Sequence, residues 1–349
     1  MKKSLIALAV MAFAGAASAQ SSVTLFGIVD AAITHGSAGN GGSSWTGMTN
    51  SGYNSSRLGF RGTEDLGGGM SASFWLEGQL TNDNGNAAGF NFQRRSTVSL
   101  AGNWGEVRLG RDYTPSFWNY TIFDPFGTNG VGTNVMLSGA GVFTAGSAGG
   151  ANIVRANNDI GYFLPANLGG FYGQVNYWFG EQVQNGAATE KDGNGYGLRL
   201  GYATGPFNVA LSYATTKDAT IGDYSTWNLG GQWDFGIARV MAQYQRDSLD
   251  NPTNLDARGY LIGGNVPVGA GEIRAAWSQY KVDGAGGADP KATKIALGYV
   301  HNLSKRTALY ATIARVKNDN GMALTLGGAA AGAGNFSSTG YDLGIRHSF

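Results

Sequence analysis

The sequence predicts an all-β protein, a 16-stranded antiparallel transmembrane β-barrel whose long third loop folds into the lumen. Aromatic residues make up 12% of the chain and charged residues only 13%, about half the charge of an average soluble domain. Beyond the N-terminal segment, no apolar run is long enough for a transmembrane helix. Segments of about ten residues instead alternate apolar and polar side chains, which is typical of the strands of a membrane barrel.

The chain begins with the pattern of a secretory signal peptide. "MKKSLIALAVMAFAGAASAQ" has two lysines, an apolar run and a small-residue cleavage site, Ala17-Ser18-Ala19. A transmembrane anchor is the alternative, but the apolar run is short for a bilayer. We therefore expect residues 1–19 to be cleaved and residues 20–349 to form the barrel domain.

Charge and cysteine content exclude several classes of function. Removing the two lysines of the signal from 24 basic residues leaves 22, against 23 acidic residues, so no basic excess points to nucleic acid. The chain has no cysteine, which excludes a disulfide scaffold and a thiolate metal site. No cofactor is expected.

Period-two alternation marks sixteen candidate strands. In "GMSASFWLEGQL" (69–80), Phe74 and Leu76 share one face, and Trp75 and Glu77 share the other. The connections alternate between short turns and long polar loops, as in outer-membrane barrels. The predicted strands are 22–34, 54–64, 69–82, 92–102, 105–112, 152–163, 169–182, 193–204, 206–217, 224–235, 237–248, 257–268, 270–282, 291–302, 305–317 and 338–349.

Aromatic residues at strand ends favour a membrane barrel over a soluble β-sandwich, which is the alternative fold. Tyr177, Tyr196 and Trp233 are among those that indicate girdles at the membrane–water interfaces. The final segment, "TGYDLGIRHSF" (339–349), alternates up to its last residue, Phe349. We expect it to pair with the first strand, because an open sheet edge is not tolerated in lipid.

Residues 113–150 interrupt the alternation. A loop of nearly forty residues is usually functional, and Asp124 is the only charged residue in this one. We expect the loop to line and narrow the barrel interior; a mobile surface loop is the alternative.

Charged residues on the polar strand faces indicate a wet interior, because arginine in a membrane strand must face water. Several arginines opposite a loop with one carboxylate would favour anions. The alternative is that each arginine braces the wall by pairing with acids or carbonyl groups. The interior charges include Arg57, Arg61, Arg95, Arg108, Arg155, Arg199, Glu77 and Asp159.

Several motifs together carry a family resemblance. They include "SRLGFRGTEDLGGGMSASFWLE" (56–77), "VRLGRDYTP" (107–115), "LSKRTALYATIARVKN" (303–318) and "GIRHSF" (344–349). The chain resembles the general trimeric porins of β-proteobacteria, which include the Neisseria and Bordetella porins. The resemblance covers essentially the whole mature chain.

The resemblance implies a homotrimer in the cell outer membrane, in contact with membrane lipid and lipopolysaccharide. It implies passive diffusion of inorganic ions and small hydrophilic solutes, with a weak anion preference. The constriction is carried over to Arg57, Arg95 and Arg155, with Arg94 as the alternative to Arg95. Asp124 would be the acidic member, although "DPFG" departs from the Pro-Glu-Phe-Gly turn of other members. The terminal "RHSF", ending in Phe349, is similar to the signal read by the barrel-assembly machinery.

Two other functions compete with a general pore. An outer-membrane enzyme is disfavoured, because none of the three histidines shares a face with a serine and an acid, and no nucleophile-elbow or metalloprotease motif occurs. A substrate-specific outer-membrane channel is the alternative to a general pore, because Tyr113, Phe117, Trp118 and Tyr120 would suit an aromatic slide for sugars.

Overall fold

The structure is a computed structural model that describes residues 22–85, 91–147, 151–252, 254–283 and 288–349. The predicted signal peptide lies outside these residues. Within them, antiparallel strands form one sheet that closes on itself. The strands are β1 (Ser22–Ala38), β2 (Ser44–Asn50), β3 (Arg57–Gly67), β4 (Met70–Gln79), β5 (Arg95–Gly102), β6 (Gly105–Tyr113), β7 (Arg155–Phe163), β8 (Phe171–Trp178), β9 (Gly195–Thr204), β10 (Phe207–Thr216), β11 (Asp223–Asp234), β12 (Arg239–Asp250), β13 (Leu255–Val268), β14 (Gly271–Asp283), β15 (Lys291–Asn302), β16 (Thr307–Asp319) and β17 (Ser337–Ser348).

The wall has sixteen strand positions, because β2 and β3 share one of them. The first half of β1, Ser22–Ile28, pairs with β3, and Ala31–Ser37 pairs with β2. The 16-stranded antiparallel barrel is thus confirmed, but the segment 35–53, expected to be entirely loop, extends β1 and forms β2. Its glycines and serines carry little alternation, whereas pairing with the adjacent β1 supplies the hydrogen-bond ladder.

Alternate positions along the strands expose large apolar side chains. In β16, Leu309 and Ile313 are exposed, whereas the intervening Tyr310 and Thr312 are buried. The outer surface is therefore apolar, and polar groups gather on the opposite face, as a lipid environment requires. In the part of the chain that the structure describes, no helix is long and apolar enough to cross a membrane.

The last residue closes the barrel. The Phe349 N–H donates to the Gly27 carbonyl, and the Gly27 N–H donates to the Phe349 carbonyl, both at 3.1 Å. A Cβ at position 27 would lie 2.5 Å from the Phe349 ring, so only glycine lets this ring lie across β1. The predicted pairing of the first and last strands is confirmed.

The bend between β2 and β3, residues 51–56, is held by a buried carboxylate. Asp30 of β1 accepts hydrogen bonds from the backbone N–H groups of Gly52, Tyr53 and Asn54 at 3.2, 2.9 and 2.7 Å. The Tyr310 hydroxyl donates to the same carboxylate at 2.5 Å. Asp30 is fully buried, so this one side chain ties the bend to β1 and to β16.

Residues 113–147 contain two short helices, α1 (Pro115–Ile122) and α2 (Val135–Phe143). Thr114 caps α1 and Asn134 caps α2, each accepting a backbone N–H of the first turn. A single 3₁₀ turn (Ala188–Lys191) lies in the β8–β9 connection.

The two helices pack on the strand face that carries the buried residues. α1 contacts β8–β11 and α2 contacts β13–β15. The Asn119 amide donates to the Asn228 side chain at 2.8 Å, and the Val135 N–H donates to the Ser278 hydroxyl at 3.1 Å. Phe123 lies where a Cβ at Gly230 would be 2.1 Å from its ring, so a glycine in β11 makes room for it.

Replacing Asp30 by Ala should destabilise the barrel, because four donors lose their buried acceptor. An unsatisfied buried donor costs about 1–3 kcal/mol, so the free energy of unfolding should fall by more than about 3 kcal/mol. Asp30→Asn keeps one acceptor oxygen and should lose less. Denaturant unfolding in detergent measures both; equal stability of Asp30→Ala and wild type would contradict this account.

Candidate functional site

A cavity of about 690 Å³ lies between strands β3–β7, residues 117–129 and strands β12–β14. We call it the arginine cavity. Two carboxylates, Glu77 and Asp124, line it. Its lining arginines are Arg57, Arg94, Arg95, Arg155, Arg239 and Arg274.

Strand register brings the first arginines together. Glu77 of β4 is directly opposite Gly59 of β3 on one side and Arg95 of β5 on the other. Arg57 is two residues from Gly59 and therefore points to the same face of the sheet. Arg155 of β7 is opposite Tyr113 of β6. The predicted constriction arginines all line the arginine cavity.

Glu77 partly compensates two of these arginines. Its Oε1 lies 2.6 Å from the Arg94 Nε and 3.8 Å from the Arg57 Nε. Arg94 also donates to the Tyr113 hydroxyl at 2.8 Å, and it is only 7% exposed. One carboxylate thus faces two guanidinium groups, which leaves a positive excess.

Arg155 is held by neutral groups. Its Nε donates to the Arg94 carbonyl at 2.8 Å, and its Nη2 donates to the Tyr113 hydroxyl at 2.9 Å. Its guanidinium carbon lies 4.5 Å from the centre of the Tyr113 ring. These contacts fix the position of the guanidinium without cancelling its charge.

Arg95 has a more distant acid. Its Nε is 3.5 Å from Oδ2 of Asp112, a carboxylate that Arg108 already holds at 2.6 Å. The Arg95 guanidinium carbon lies 4.6 Å from the centre of the Trp75 ring. Arg108 is also paired with Glu106 at 3.0 Å, so Arg95 and Arg108 together face two carboxylates, and Arg95 is the less tightly paired of the two arginines.

The opposite side contributes Arg274 and Tyr53, which sequence reasoning missed. Arg274 donates to the Tyr53 hydroxyl at 2.9 Å and lies over its ring at 4.4 Å; its Nε is 2.7 Å from the Glu272 carboxylate. Tyr53 reaches the cavity only because Asp30 folds the bend inward. The polar run Asn50-Ser51-Gly52 was the available signal for that bend.

Asp124 lines the arginine cavity but is 3% exposed. Its carboxylate accepts the Phe126 and Asn134 backbone N–H groups at 2.9 and 3.2 Å and the Asn134 amide at 2.8 Å. Burial raises the pKa of the Asp124 carboxyl, and these hydrogen bonds oppose the rise. The Gly127 N–H closes the turn on the Asp124 carbonyl at 2.9 Å.

Five further residues were predicted to line the pore. Glu77 lines the arginine cavity, whereas Arg61, Arg108, Asp159 and Arg199 do not. Arg199 donates to the Asn119 side chain of α1 at 2.7 Å. Asp159 accepts from Asn176 at 2.7 Å. Arg199 therefore supports the helical segment, and Asp159 belongs to the strand network.

Within the described ranges, no group of three or more histidine and acidic side chains is placed to hold a metal ion. The site consists of guanidinium groups held by hydroxyl and carbonyl oxygens, by aromatic rings and by the carboxylates named above. Excess positive charge in such a site favours anions.

Comparisons with known proteins agree with this geometry. The family model described as Gram-negative porin matches residues 5–321. The chain is 45% identical to outer membrane porin protein 32 of Delftia acidovorans, and the alignment covers 100% of both chains. It is 32% identical to an outer membrane porin protein of Bordetella pertussis, again over 100% of both chains.

Solved structures share the architecture. An anion-selective porin from Comamonas acidovorans superimposes with a TM-score of 0.85 and 42% identity, covering 95% of this chain and 100% of that chain. A trimer form of OmpT from Vibrio cholerae superimposes with a TM-score of 0.66 at 15% identity, covering 94% and 99%, and shows the fold alone. The protein is an outer-membrane β-barrel, and the chain belongs to the family of Gram-negative porins.

Proposed function

We propose that this protein is a general diffusion porin, through which inorganic ions and small hydrophilic solutes pass with a weak preference for anions. The observation that carries the proposal is the arginine cavity, where Arg155 is held by neutral groups and Arg57 and Arg94 share a single carboxylate, Glu77. The other lining carboxylate, Asp124, is engaged by its own segment. The family and the fold support a channel rather than an enzyme.

We infer that residues 113–147 of the predicted loop 113–150 lie in the lumen and form its constriction. Three anchors support this placement: Asn119 on Asn228, Val135 on Ser278, and the Val131 N–H on the Asp342 carboxylate at 2.8 Å. The strand residues involved alternate with exposed apolar ones. Asp124 would then serve mainly to hold the turn, although it also faces the pore.

Local charge placement has to supply the selectivity, because the mature chain is nearly neutral. In a narrow, partly desolvated pore, a unit charge at about 4 Å is worth on the order of 1–4 kcal/mol. Arg57, Arg95 and Arg155 are the arginines proposed to act. Arg94 contributes less to the field, because Glu77 lies 2.6 Å from its Nε.

A substrate-specific channel is the second candidate, favoured by an aromatic cluster at the cavity. Tyr113 stacks on Phe117 with 4.9 Å between ring centres, and Trp118 meets Tyr113 edge-on at 5.2 Å. Bilayer conductance separates the candidates. A general pore keeps its conductance in millimolar sugar, whereas a sugar-specific channel is blocked.

We also propose a homotrimer, as in the trimer form of OmpT. The contact face would be the outer surface of β1, β16 and β17, where a groove of about 500 Å³ is lined by small and aliphatic residues such as Ala31, Ile33 and Leu343.

We further propose that residues 1–19 are cleaved on export, that Phe349 is read by the barrel-assembly machinery, and that lipopolysaccharide surrounds the trimer.

Replacing Arg57, Arg95 and Arg155 together by Ser should shift the reversal potential across a KCl gradient toward the cation side. Loss of about 1 kcal/mol of attraction corresponds to a roughly five-fold lower anion-to-cation permeability ratio. The shift should shrink as salt rises, because ions screen the field.

The matched control replaces Arg246, Arg258 and Arg315 by Ser. It removes the same total charge from the protein, but these three arginines do not line the arginine cavity. It should keep the wild-type reversal potential. An unchanged potential in the cavity mutant, with trimers intact, would mean that its arginines only brace the wall.

Thr128→Cys tests the placement of the loop, since the chain has no cysteine of its own. Thr128 lines the arginine cavity, so a bulky, charged methanethiosulfonate attached there should reduce single-channel conductance. Thr220→Cys, in the exposed β10–β11 connection, is the control. Full labelling of Thr128→Cys without a change in conductance argues against a loop in the pore.

Leu343→Lys should weaken the trimer, because it places a charge on the proposed contact face, where Leu343 is 62% exposed. Leu200→Lys puts the same charge on β9, where Leu200 is 52% exposed, and should leave trimers intact. Light scattering in mild detergent measures the assembly state. Trimers of Leu343→Lys as stable as those of wild type count against this contact face.

A further inference from the structure

We infer that Trp75 is a positioning residue of the arginine cavity: its ring holds Arg95 without neutralising it, and its N–H orients the carboxylate that Arg57 and Arg94 share. The inference rests on the proposed anion preference and names the residue on which that preference depends. Trp75 lies in β4, between the two arginine-bearing strands.

Two guanidinium groups contact the faces of the indole. The Arg95 guanidinium carbon lies 4.6 Å from the centre of the Trp75 ring, and that of Arg61 lies 5.1 Å from it. Register explains the second contact, because Arg61 is directly opposite Trp75 on β3, and Thr97 is opposite on β5. Both distances are within the range of cation–π attraction.

The indole nitrogen reaches two more arginines through one carboxylate. The Trp75 Nε1–H donates to the Glu77 Oε2 at 3.1 Å. The other oxygen, Oε1, is 2.6 Å from Arg94 and 3.8 Å from Arg57. Trp75 therefore fixes the orientation of the carboxylate that these two guanidinium groups share.

A second aromatic ring packs against the Trp75 indole. Phe26 of β1 packs on Trp75 with 4.8 Å between ring centres. Phe26 reaches across the sheet over Gly59, where a Cβ would lie only 2.4 Å from its ring. The glycine between Arg57 and Arg61 thus makes room for the aromatic support of both strands.

An aromatic ring holds a guanidinium group in a way that a carboxylate does not. A carboxylate cancels the charge that it fixes, whereas a ring face restricts the group and leaves its field in the pore. Arg95 has an acid within reach, since its Nε is 3.5 Å from Asp112. Without the ring, we expect Arg95 to move onto that carboxylate and its charge to be withdrawn from the pore.

The test replaces Trp75 by Met, which keeps an apolar side chain but has neither a ring nor an N–H group. The anion-to-cation permeability ratio, from the reversal potential in a KCl gradient, should fall about two- to five-fold. Trp75→Phe keeps an aromatic face and should restore most of the ratio. Heat-resistant trimers on gels confirm folding.

The matched control is Phe163→Leu. Arg108 lies over the Phe163 ring at 3.9 Å, and neither residue lines the arginine cavity. This variant removes an equivalent stack elsewhere in the barrel and should keep the wild-type ratio. Arg95→Lys provides an independent test that leaves the tryptophan intact: it keeps the charge, loses the planar stack and should lower the ratio.

Conductance separates positioning from simple filling of space. If Trp75→Met raises conductance and keeps the wild-type ratio, Trp75 only occupies volume and the inference is wrong. The inference is also wrong if Arg95→Lys keeps the wild-type ratio. If the triple arginine-to-serine mutant leaves the ratio unchanged, the proposed selectivity itself fails, which is a different result from failure of Trp75 alone.

Discussion

Backbone hydrogen bonding is the constraint on which this structure depends. The hydrocarbon core of a membrane offers no partner to an N–H or C=O group, so a sheet survives there only if it has no open edge. The pair of hydrogen bonds between Phe349 and Gly27 completes that closure. Side-chain alternation follows, because a closed sheet has one face toward lipid and one toward the inside.

Closure also creates an interior that side chains and loops have to fill. Polar side chains that cannot face lipid collect there, and the segment with α1 and α2 packs on their asparagine, serine and aspartate side chains. In the arginine cavity, neutral oxygens and a ring alone hold Arg155, and Arg57 and Arg94 share the Glu77 carboxylate. The cavity is thus well ordered and yet locally positive, which is the property that an anion-selective pore requires.

Much of this organisation was predictable from sequence, because the two-residue alternation of a strand does not depend on how individual side chains pack. The 16-stranded barrel followed from alternation and from the lengths of the connections, and the pairing of its first and last strands followed from the rule that no sheet edge stays open in lipid. β2 and the bend at 51–56 did not, because they depend on Asp30 and Tyr310, which are 280 positions apart. The contribution of Tyr53 and Arg274 to the arginine cavity depends on the same bend. The helices α1 and α2 were also missed, because two turns are too short for a clear helical period.

The segment between β6 and β7 has a mechanical consequence. It contacts strands that lie far apart around the wall. α1 contacts β8–β11, α2 contacts β13–β15, and the Val131 N–H is hydrogen-bonded to Asp342 of β17. Asn129 in the same segment accepts from Ser55, beside β3, at 2.9 Å. A hollow cylinder under lateral pressure flattens most easily where nothing connects its sides. With this segment in the lumen, as proposed, the residues that narrow the passage would also connect the sides of the barrel and keep its cross-section round when the surrounding membrane is compressed.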